Sequence, residues 1–118
     1  MKQWDIYCVP QAEVRASTNP KQPGDPSDKN RYYIIISNDC HLAYGGNPTV
    51  VPIESKRINR LMHVAIPKTK TSGLHHDSFV WCNEIYTVPK KYLVQKVGVV
   101  PSEILESIKI SIKSYLNF

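Results

Sequence analysis

Residues 32–36, Tyr-Tyr-Ile-Ile-Ile, constrain the fold of this chain more than any other stretch. Side chains on a strand point alternately to the two faces of a sheet, so this run is apolar on both faces. The sequence therefore predicts a strand over residues 31–37 that lies inside the protein and is covered on both sides. Arg31 precedes the apolar run, and a Ser-Asn-Asp turn follows it.

Other short segments alternate between apolar and polar residues, and several of them end at proline. Further strands are predicted at residues 4–10, 49–55, 62–67, 78–88 and 95–100. The residues between them are polar or carry proline and glycine turn signals, which is typical of loops. Three loops are predicted in this way, at residues 11–30, 38–48 and 68–77.

Residues 101–118 predict one amphipathic helix. Ser102 is the expected N-cap, and Glu103 in the first turn complements the helix dipole. Ile110 lies off the apolar stripe. The stripe consists of Ile104, Leu105, Ile108, Ile112, Tyr115 and Leu116.

Short strands followed by one terminal helix favour a mainly β fold, a small antiparallel β-barrel capped by the helix. The length of 118 residues suits one domain, spanning residues 1–118. No transmembrane-length apolar run or signal-peptide pattern occurs. Three cysteines without a CxxC pair argue against a disulfide framework and a zinc site, so we expect reduced thiols and a cytoplasmic protein.

The formal net charge of +5 favours an anionic partner such as nucleic acid, although many small basic proteins bind none. Arg31 fits two interpretations, a phosphate-binding guanidinium or an edge charge that deters strand pairing. Glu54 and Ser55, followed by Lys56 and Arg57, fit either a phosphate or proton-transfer site or a solvated turn.

The histidines allow similar alternatives. His75 and His76 fit an acid–base or metal site, or an exposed polar loop. His63 lies in an apolar strand and is predicted to be a core histidine with its hydrogen bonds satisfied. His41 follows Cys40, but neighbours on a loop rarely form a nucleophile pair. Trp81 fits a base-stacking residue or a core residue.

No HExxH, GxSxG, P-loop or dinucleotide-binding motif is present. Several segments, in order, instead resemble the MazF/PemK toxins of bacterial type II toxin–antitoxin modules. The first strand is WDIYCVP, and the family begins Gly-Asp-Ile/Val-Tyr. NRYYIIISND and TVVPIES resemble its next two strands. The segment that agrees best with the family pattern is SGLHHDSFVWCNEIYTVPKKYL, and KVGVVPSEILESIKISIKSYL matches the last strand and helix.

The resemblance implies a small SH3-like barrel of the CcdB/PemK type and a homodimer. It also implies an endoribonuclease that needs no metal or other cofactor. Such an enzyme cleaves single-stranded RNA by 2′-hydroxyl attack, leaving a 2′,3′-cyclic phosphate and a 5′-hydroxyl. The implied inhibitor is a cognate antitoxin with an acidic flexible tail. No membrane partner is expected.

By resemblance, Arg31 occupies the position of the family's catalytic arginine. Glu54 stands where the family has a threonine, so either Glu54 is the base or Ser55 supplies the hydroxyl. The family's Gln-Ile-Arg becomes Glu84-Ile85-Tyr86. The residues expected to contact RNA are Asp25, Asp28, Lys29, Lys56, Arg57, His75, His76 and Tyr86.

These departures leave a second possibility, a family member that binds RNA or an antitoxin without cutting. A CcdB-like gyrase poison is a weaker alternative, because the chain ends Leu-Asn-Phe and CcdB ends Trp-Gly-Ile.

Overall fold

A computed structural model of the chain describes residues 1–10 and 30–117. Its strands are β1 (Asp5–Pro10), β2 (Asn30–Ile35), β3 (Thr49–Glu54), β4 (His63–Ile66), β5 (Ser78–Trp81), β6 (Tyr86–Thr87) and β7 (Gln95–Val99). Its helices are α1 (Asp39–Ala43) and α2 (Ser102–Leu116), with a 3₁₀ turn at Lys90–Tyr92. The loop predicted at residues 11–30 lies outside the described residues, apart from Asn30, which begins β2.

The described strands form one antiparallel sheet in the order β4-β5-β3-β2-β1-β7, and β6 pairs with the other end of β3. The central strand β2 pairs with β1 and with β3. Ile34 and Ile35, on opposite faces of β2, are both fully buried. The prediction that this strand is covered on both sides is confirmed, and so is the mainly β fold class with a C-terminal helix.

Each face of the sheet has its own core. On one face, α2 brings Ile108 against Ile6, Ile34 and Val80. On the other face, Ile35 packs with Val9, Val50, Leu42 and Leu93. Full burial of such a side chain contributes about 1.5–3 kcal/mol to folding. The two cores fix β1, β2 and β3, and these strands carry the functional site.

The predicted strand at residues 78–88 is wrong as one continuous element. β5 ends at Trp81, a turn follows, and β6 begins only at Tyr86. Glu84 N–H donates to the Trp81 carbonyl at 3.2 Å, which closes the turn. The apolar–polar alternation continues through this turn, so the pattern alone does not reveal the interruption.

The predicted N-cap of the terminal helix is also wrong. Pro101 is the N-cap without a side-chain hydrogen bond, and Ser102 is already the first helical residue. Tyr115 and Leu116, which the sequence places on the apolar stripe, are 49% and 44% exposed. Ile110 is exposed, as predicted.

The short helix α1 lies within the predicted loop at residues 38–48. Asn38 caps it, because its side-chain oxygen accepts from the His41 N–H at 2.8 Å. Asn38 is a recognisable N-cap residue in the sequence. Neither described helix is long and apolar enough to cross a membrane.

Candidate active site

A pocket of about 640 Å³ opens on the face of the sheet opposite α2. Strands β1, β2, β3, β5 and β6 all contribute to its wall, together with the turn after β5. Its polar and aromatic lining consists of Arg31, Tyr33, Glu54, Trp81, Glu84, Tyr86, Thr87 and Tyr92.

The strand register places Arg31 beside Glu54. Tyr32 of β2 pairs with Ile53 of β3, so the residues one step outward are cross-strand neighbours on the opposite face. Arg31 Nη1 lies 2.5 Å from Glu54 Oε1. The pocket therefore holds a permanent cation in contact with a proton acceptor.

The Arg31–Glu54 ion pair is open to solvent. Its side chains are 45% and 26% exposed, so water and salt screen the attraction. Such a pair contributes no more than about 1 kcal/mol to stability. A phosphate group can therefore compete for the guanidinium at low cost, and Glu54 is then released to act elsewhere in the pocket.

Glu84 and Tyr86 form a second polar pair in the pocket. The Tyr86 hydroxyl donates to Glu84 Oε2. This hydrogen bond raises the pKa of Tyr86 to about 12, and partial burial and the Glu84 charge act in the same direction. Burial also raises the pKa of Tyr33; Arg31 opposes that shift and Glu54 adds to it.

Trp81 is held rigidly at the pocket wall. Its ring stacks on His63 with centroids 4.4 Å apart and planes 6° from parallel. Its Nε1–H donates to the Lys56 carbonyl at 2.8 Å. One ring face and the ring nitrogen are therefore engaged, and the side chain also lines the pocket.

His63 supports this tryptophan and is itself buried with its polar atoms paired. Its Nδ1 accepts from the Ile58 and Asn59 N–H groups, both at 3.1 Å. The hydrogen is then on Nε2, which lies 3.0 Å from Asn83 Oδ1 and donates to it. The prediction of a satisfied core histidine is confirmed.

The structure brings together only some of the predicted site residues. Arg31, Glu54 and Tyr86 line the pocket. The other predicted residues within the described chain are exposed and lie outside the lining: Ser55, Lys56, Arg57, His75 and His76. Asp25, Asp28 and Lys29 lie outside the described residues.

Glu84 was missed as a site residue by the sequence analysis, because the turn that aims it into the pocket is hidden by the strand pattern. Among the described lining residues, the pocket carries one guanidinium and two carboxylates. Within residues 1–10 and 30–117, no group of three or more His, Cys, Asp or Glu side chains is placed to hold a metal ion.

Comparison with known proteins identifies the family. The profile described as PemK-like, MazF-like toxin of type II toxin–antitoxin system matches residues 2–116. The chain belongs to the PemK/MazF toxin family. A search of curated protein sequences gave no significant match.

Solved structures of other proteins share the fold of this chain at low sequence identity. An endoribonuclease in complex with its cognate antitoxin from Mycobacterial species has a TM-score of 0.74 and 15% identity, and covers 100% of this chain and 96% of its own. The Mycobacterium tuberculosis toxin MazF-mt6 has a TM-score of 0.72 and 18% identity over 97% of both chains. MazF from Deinococcus radiodurans has a TM-score of 0.71 and 12% identity, covering 100% of this chain and 97% of its own.

Proposed function

We propose that this chain is a toxin endoribonuclease that cleaves single-stranded RNA in the cytoplasm without a metal ion. Membership of the PemK/MazF family supports a toxin, and a structural relative is described as an endoribonuclease with its cognate antitoxin. The observation that carries the proposal is the contact of Arg31 with Glu54 in a pocket with aromatic walls.

In the proposed reaction, the RNA phosphate binds Arg31 and displaces Glu54 from it. The freed Glu54 carboxylate takes the proton of the adjacent 2′-hydroxyl as the new bond from the 2′-oxygen to phosphorus forms. The bond from phosphorus to the 5′-oxygen breaks, and that oxygen takes a proton from water. The products are a 2′,3′-cyclic phosphate and a 5′-hydroxyl.

Arg31 acts by stabilising charge. The phosphorane-like transition state carries more negative charge on its oxygens than the phosphodiester does. A guanidinium keeps its own charge at every working pH and offers donors in a fixed planar fork. Ile34 and Ile35 of the same strand are fully buried, which fixes the main chain that carries Arg31 at the edge of the pocket before RNA binds.

The same pocket is the proposed target of a cognate antitoxin with an acidic tail, whose carboxylates would compete with phosphate for Arg31. The net charge of +5 favours both partners. We further propose that the toxin is a homodimer. Sedimentation would then give twice the 13.5 kDa of one chain, and a mass of one chain at working concentration would overturn this assignment.

The test is cleavage of single-stranded RNA in the presence of EDTA, with the fragment ends identified by mass spectrometry. Arg31→Ala should lower the rate about 100- to 1000-fold, because charge stabilisation of this kind is lost. Glu54→Gln should lower it about 100-fold, because an amide does not accept the proton. Lys113→Ala and Glu106→Gln make the same charge changes on α2, at the opposite face, and should leave the rate unchanged.

Ser55→Ala separates the two candidates for the second catalytic group. Ser55 is exposed and does not line the pocket, so the rate of this variant should match that of the wild type. A loss in Ser55→Ala together with full activity in Glu54→Gln would transfer the role to the hydroxyl. Equal cleavage by Arg31→Ala and the wild type would refute the mechanism.

A second candidate function is binding of RNA or an antitoxin without cleavage. The observation that favours it is the surplus of carboxylates among the described pocket residues, because Glu54 and Glu84 both repel a phosphate. Retention of intact RNA across many sequences, with no cyclic phosphate formed, would support this function over catalysis.

A further inference from the structure

The environment of Glu84 differs from what a phosphate-binding site requires. Glu84 lines the same pocket as Arg31, but it contributes a second negative charge and no cation of the described lining lies in contact with it. A carboxylate accepts hydrogen bonds only, so this part of the pocket selects a ligand group that presents N–H or O–H donors.

The walls of the pocket select a flat ligand. Trp81 borders the pocket with its ring fixed by His63 and by the Lys56 carbonyl. Tyr86, which follows Glu84 by two residues, borders it as well. Aromatic side chains that line a groove stack on nucleobases, and a polar group beside them reads the edge of the base.

The donor pattern distinguishes one base from the other three. Guanine presents two adjacent donors, N1–H and the N2 amino group, which match the two oxygens of a carboxylate. Cytosine and adenine each place an acceptor nitrogen beside their amino group, and uracil flanks its single N–H with two carbonyl oxygens. Those acceptors would face the Glu84 charge, which is unfavourable.

The hydrogen bond from Tyr86 does not prevent this contact. Tyr86 occupies one site on Glu84 Oε2, and each carboxylate oxygen can accept from two donors. Within the described chain, Oε1 has no hydrogen-bond partner. The tyrosine hydroxyl orients the carboxylate before the base arrives, which lowers the entropy lost on binding.

We propose that Glu84 is a specificity-determining residue that binds the Watson–Crick edge of a guanine next to the phosphate held by Arg31. This proposal rests on the proposed function, because it uses the same pocket and assigns its RNA preference. It makes Trp81 and Tyr86 the walls of a guanine subsite and separates base recognition by Glu84 from the chemistry at Arg31 and Glu54.

The test measures binding and does not depend on cleavage. The probe is a short uridine-rich RNA with one central guanosine, with 2′-fluorine in place of every 2′-hydroxyl so that attack is impossible. Matched probes carry inosine, adenosine or 7-deazaguanosine at the centre. Inosine lacks only the N2 amino group, whereas 7-deazaguanosine keeps the whole Watson–Crick edge.

The wild-type protein should bind the guanosine probe about tenfold more tightly than the inosine probe. It should bind the 7-deazaguanosine probe as tightly as the guanosine probe. Glu84→Gln should lose this preference and shift towards adenosine, because an amide offers an acceptor to N6–H and a donor to N1. Glu106→Gln removes the same charge from α2 and should keep the guanosine preference.

Three results would overturn the proposal: equal binding of guanosine and inosine probes, an unchanged guanosine preference in Glu84→Gln, or free GMP binding as tightly as the RNA probe. Thermal unfolding verifies that the Glu84→Gln variant is folded. Guanosine discrimination by a protein that cleaves no RNA supports this inference while the proposed function fails. Cleavage of RNA without guanosine discrimination supports the proposed function and refutes the role of Glu84 in base recognition.

Discussion

Tyr86 is the residue whose ionisation most directly reports the geometry of the pocket. Its hydroxyl donates to the Glu84 carboxylate, and removing that proton would place two negative charges in contact. This hydrogen bond is the main reason why the pKa of Tyr86 rises from 10.0 to about 12. The folded state therefore favours the protonated tyrosine, and the stability gained is present below pH 10 and lost between about pH 10 and 12.

We predict that Glu84→Gln returns the pKa of Tyr86 towards 10.0, since an amide removes the charge and keeps an acceptor. The measurement is the tyrosinate absorbance of the folded protein as a function of pH. The difference between the wild type and Tyr86→Phe isolates Tyr86 from the other six tyrosines. A Tyr86 titration that is the same with glutamate and glutamine at residue 84 would contradict the assigned hydrogen bond.

The family resemblance pointed to Arg31 and Glu54, which line the pocket, but not to Glu84. Arg31 and Glu54 each lie at the outer end of a strand whose register follows from its buried run. The position of Glu84 depends on where one strand stops and the next begins. That boundary is set by main-chain hydrogen bonds, such as Cys82 N–H to the Met62 carbonyl at 3.0 Å. Tertiary contacts of this kind leave no periodic signal.

At the scale of elements, the segment between β4 and β5 covers the edge of the sheet. Strand β7 is the last in the sheet order, and its Val99 N–H donates to the Thr71 carbonyl at 2.9 Å. Ser72 is fully buried, and its hydroxyl donates to the Pro67 carbonyl at 2.9 Å. Pairing the edge in this way removes exposed main-chain groups that promote aggregation.

Gly73 makes this cover possible, and a matched pair of substitutions tests it. A Cβ at Gly73 would lie 1.9 Å from the Val97 carbonyl oxygen, whereas a Cβ at Gly45 would meet nothing within 4 Å. Both glycines have a positive φ, +68° and +78°, so both alanine variants carry the same type of backbone strain. We expect Gly73→Ala to lower the free energy of unfolding by about 3–4 kcal/mol and Gly45→Ala by about 1 kcal/mol.

Urea denaturation of the two variants provides the comparison. Since backbone strain is common to both variants, the difference between their free energies of unfolding reports the steric clash between a Cβ at residue 73 and β7. Equal losses of stability would show that the segment does not pack against β7 as described.

Element boundaries were less predictable than element types. The strand and helix segments follow from apolar periodicity, which reflects which side chains are buried. The start of α2 at Ser102 and the exposure of Tyr115 depend on what surrounds the helix ends. Residues 68–77 were predicted only as a polar loop, because the burial of Ser72 depends on a contact with the distant strand β7.

At the scale of the whole molecule, the net charge of the chain and the charge of the described pocket lining have opposite signs. The chain carries +5, whereas the described pocket lining holds one cation and two carboxylates. Under the proposed function, the attraction for RNA comes mainly from cations around the pocket. Lys56 follows the pocket residue Glu54 by two positions, and its carbonyl accepts from Trp81 in the pocket wall. The proposal thus assigns the electrostatic attraction of RNA to cations such as Lys56 and the recognition of the base to Glu84.

This division predicts how binding responds to salt. Each phosphate contact with single-stranded RNA contributes about 0.7 to the slope of log affinity against log salt concentration. Lys56→Ala should therefore reduce that slope by about 0.7 and weaken guanosine and inosine probes equally. Glu84→Gln should change the base preference and leave the slope unchanged. Titrations from about 50 to 200 mM salt with the uncleavable RNA probes measure both quantities.

Lys113→Ala is the control for Lys56→Ala, because it removes one positive charge from α2 on the opposite face of the sheet. An equal loss of slope in both lysine variants would mean that net charge, rather than a contact near the pocket, governs RNA binding. A loss of guanosine preference in Lys56→Ala would mean that affinity and base recognition share residues. If only Lys56→Ala lowers the slope and only Glu84→Gln changes the preference, the surrounding cations bind the backbone and the acidic pocket selects the base.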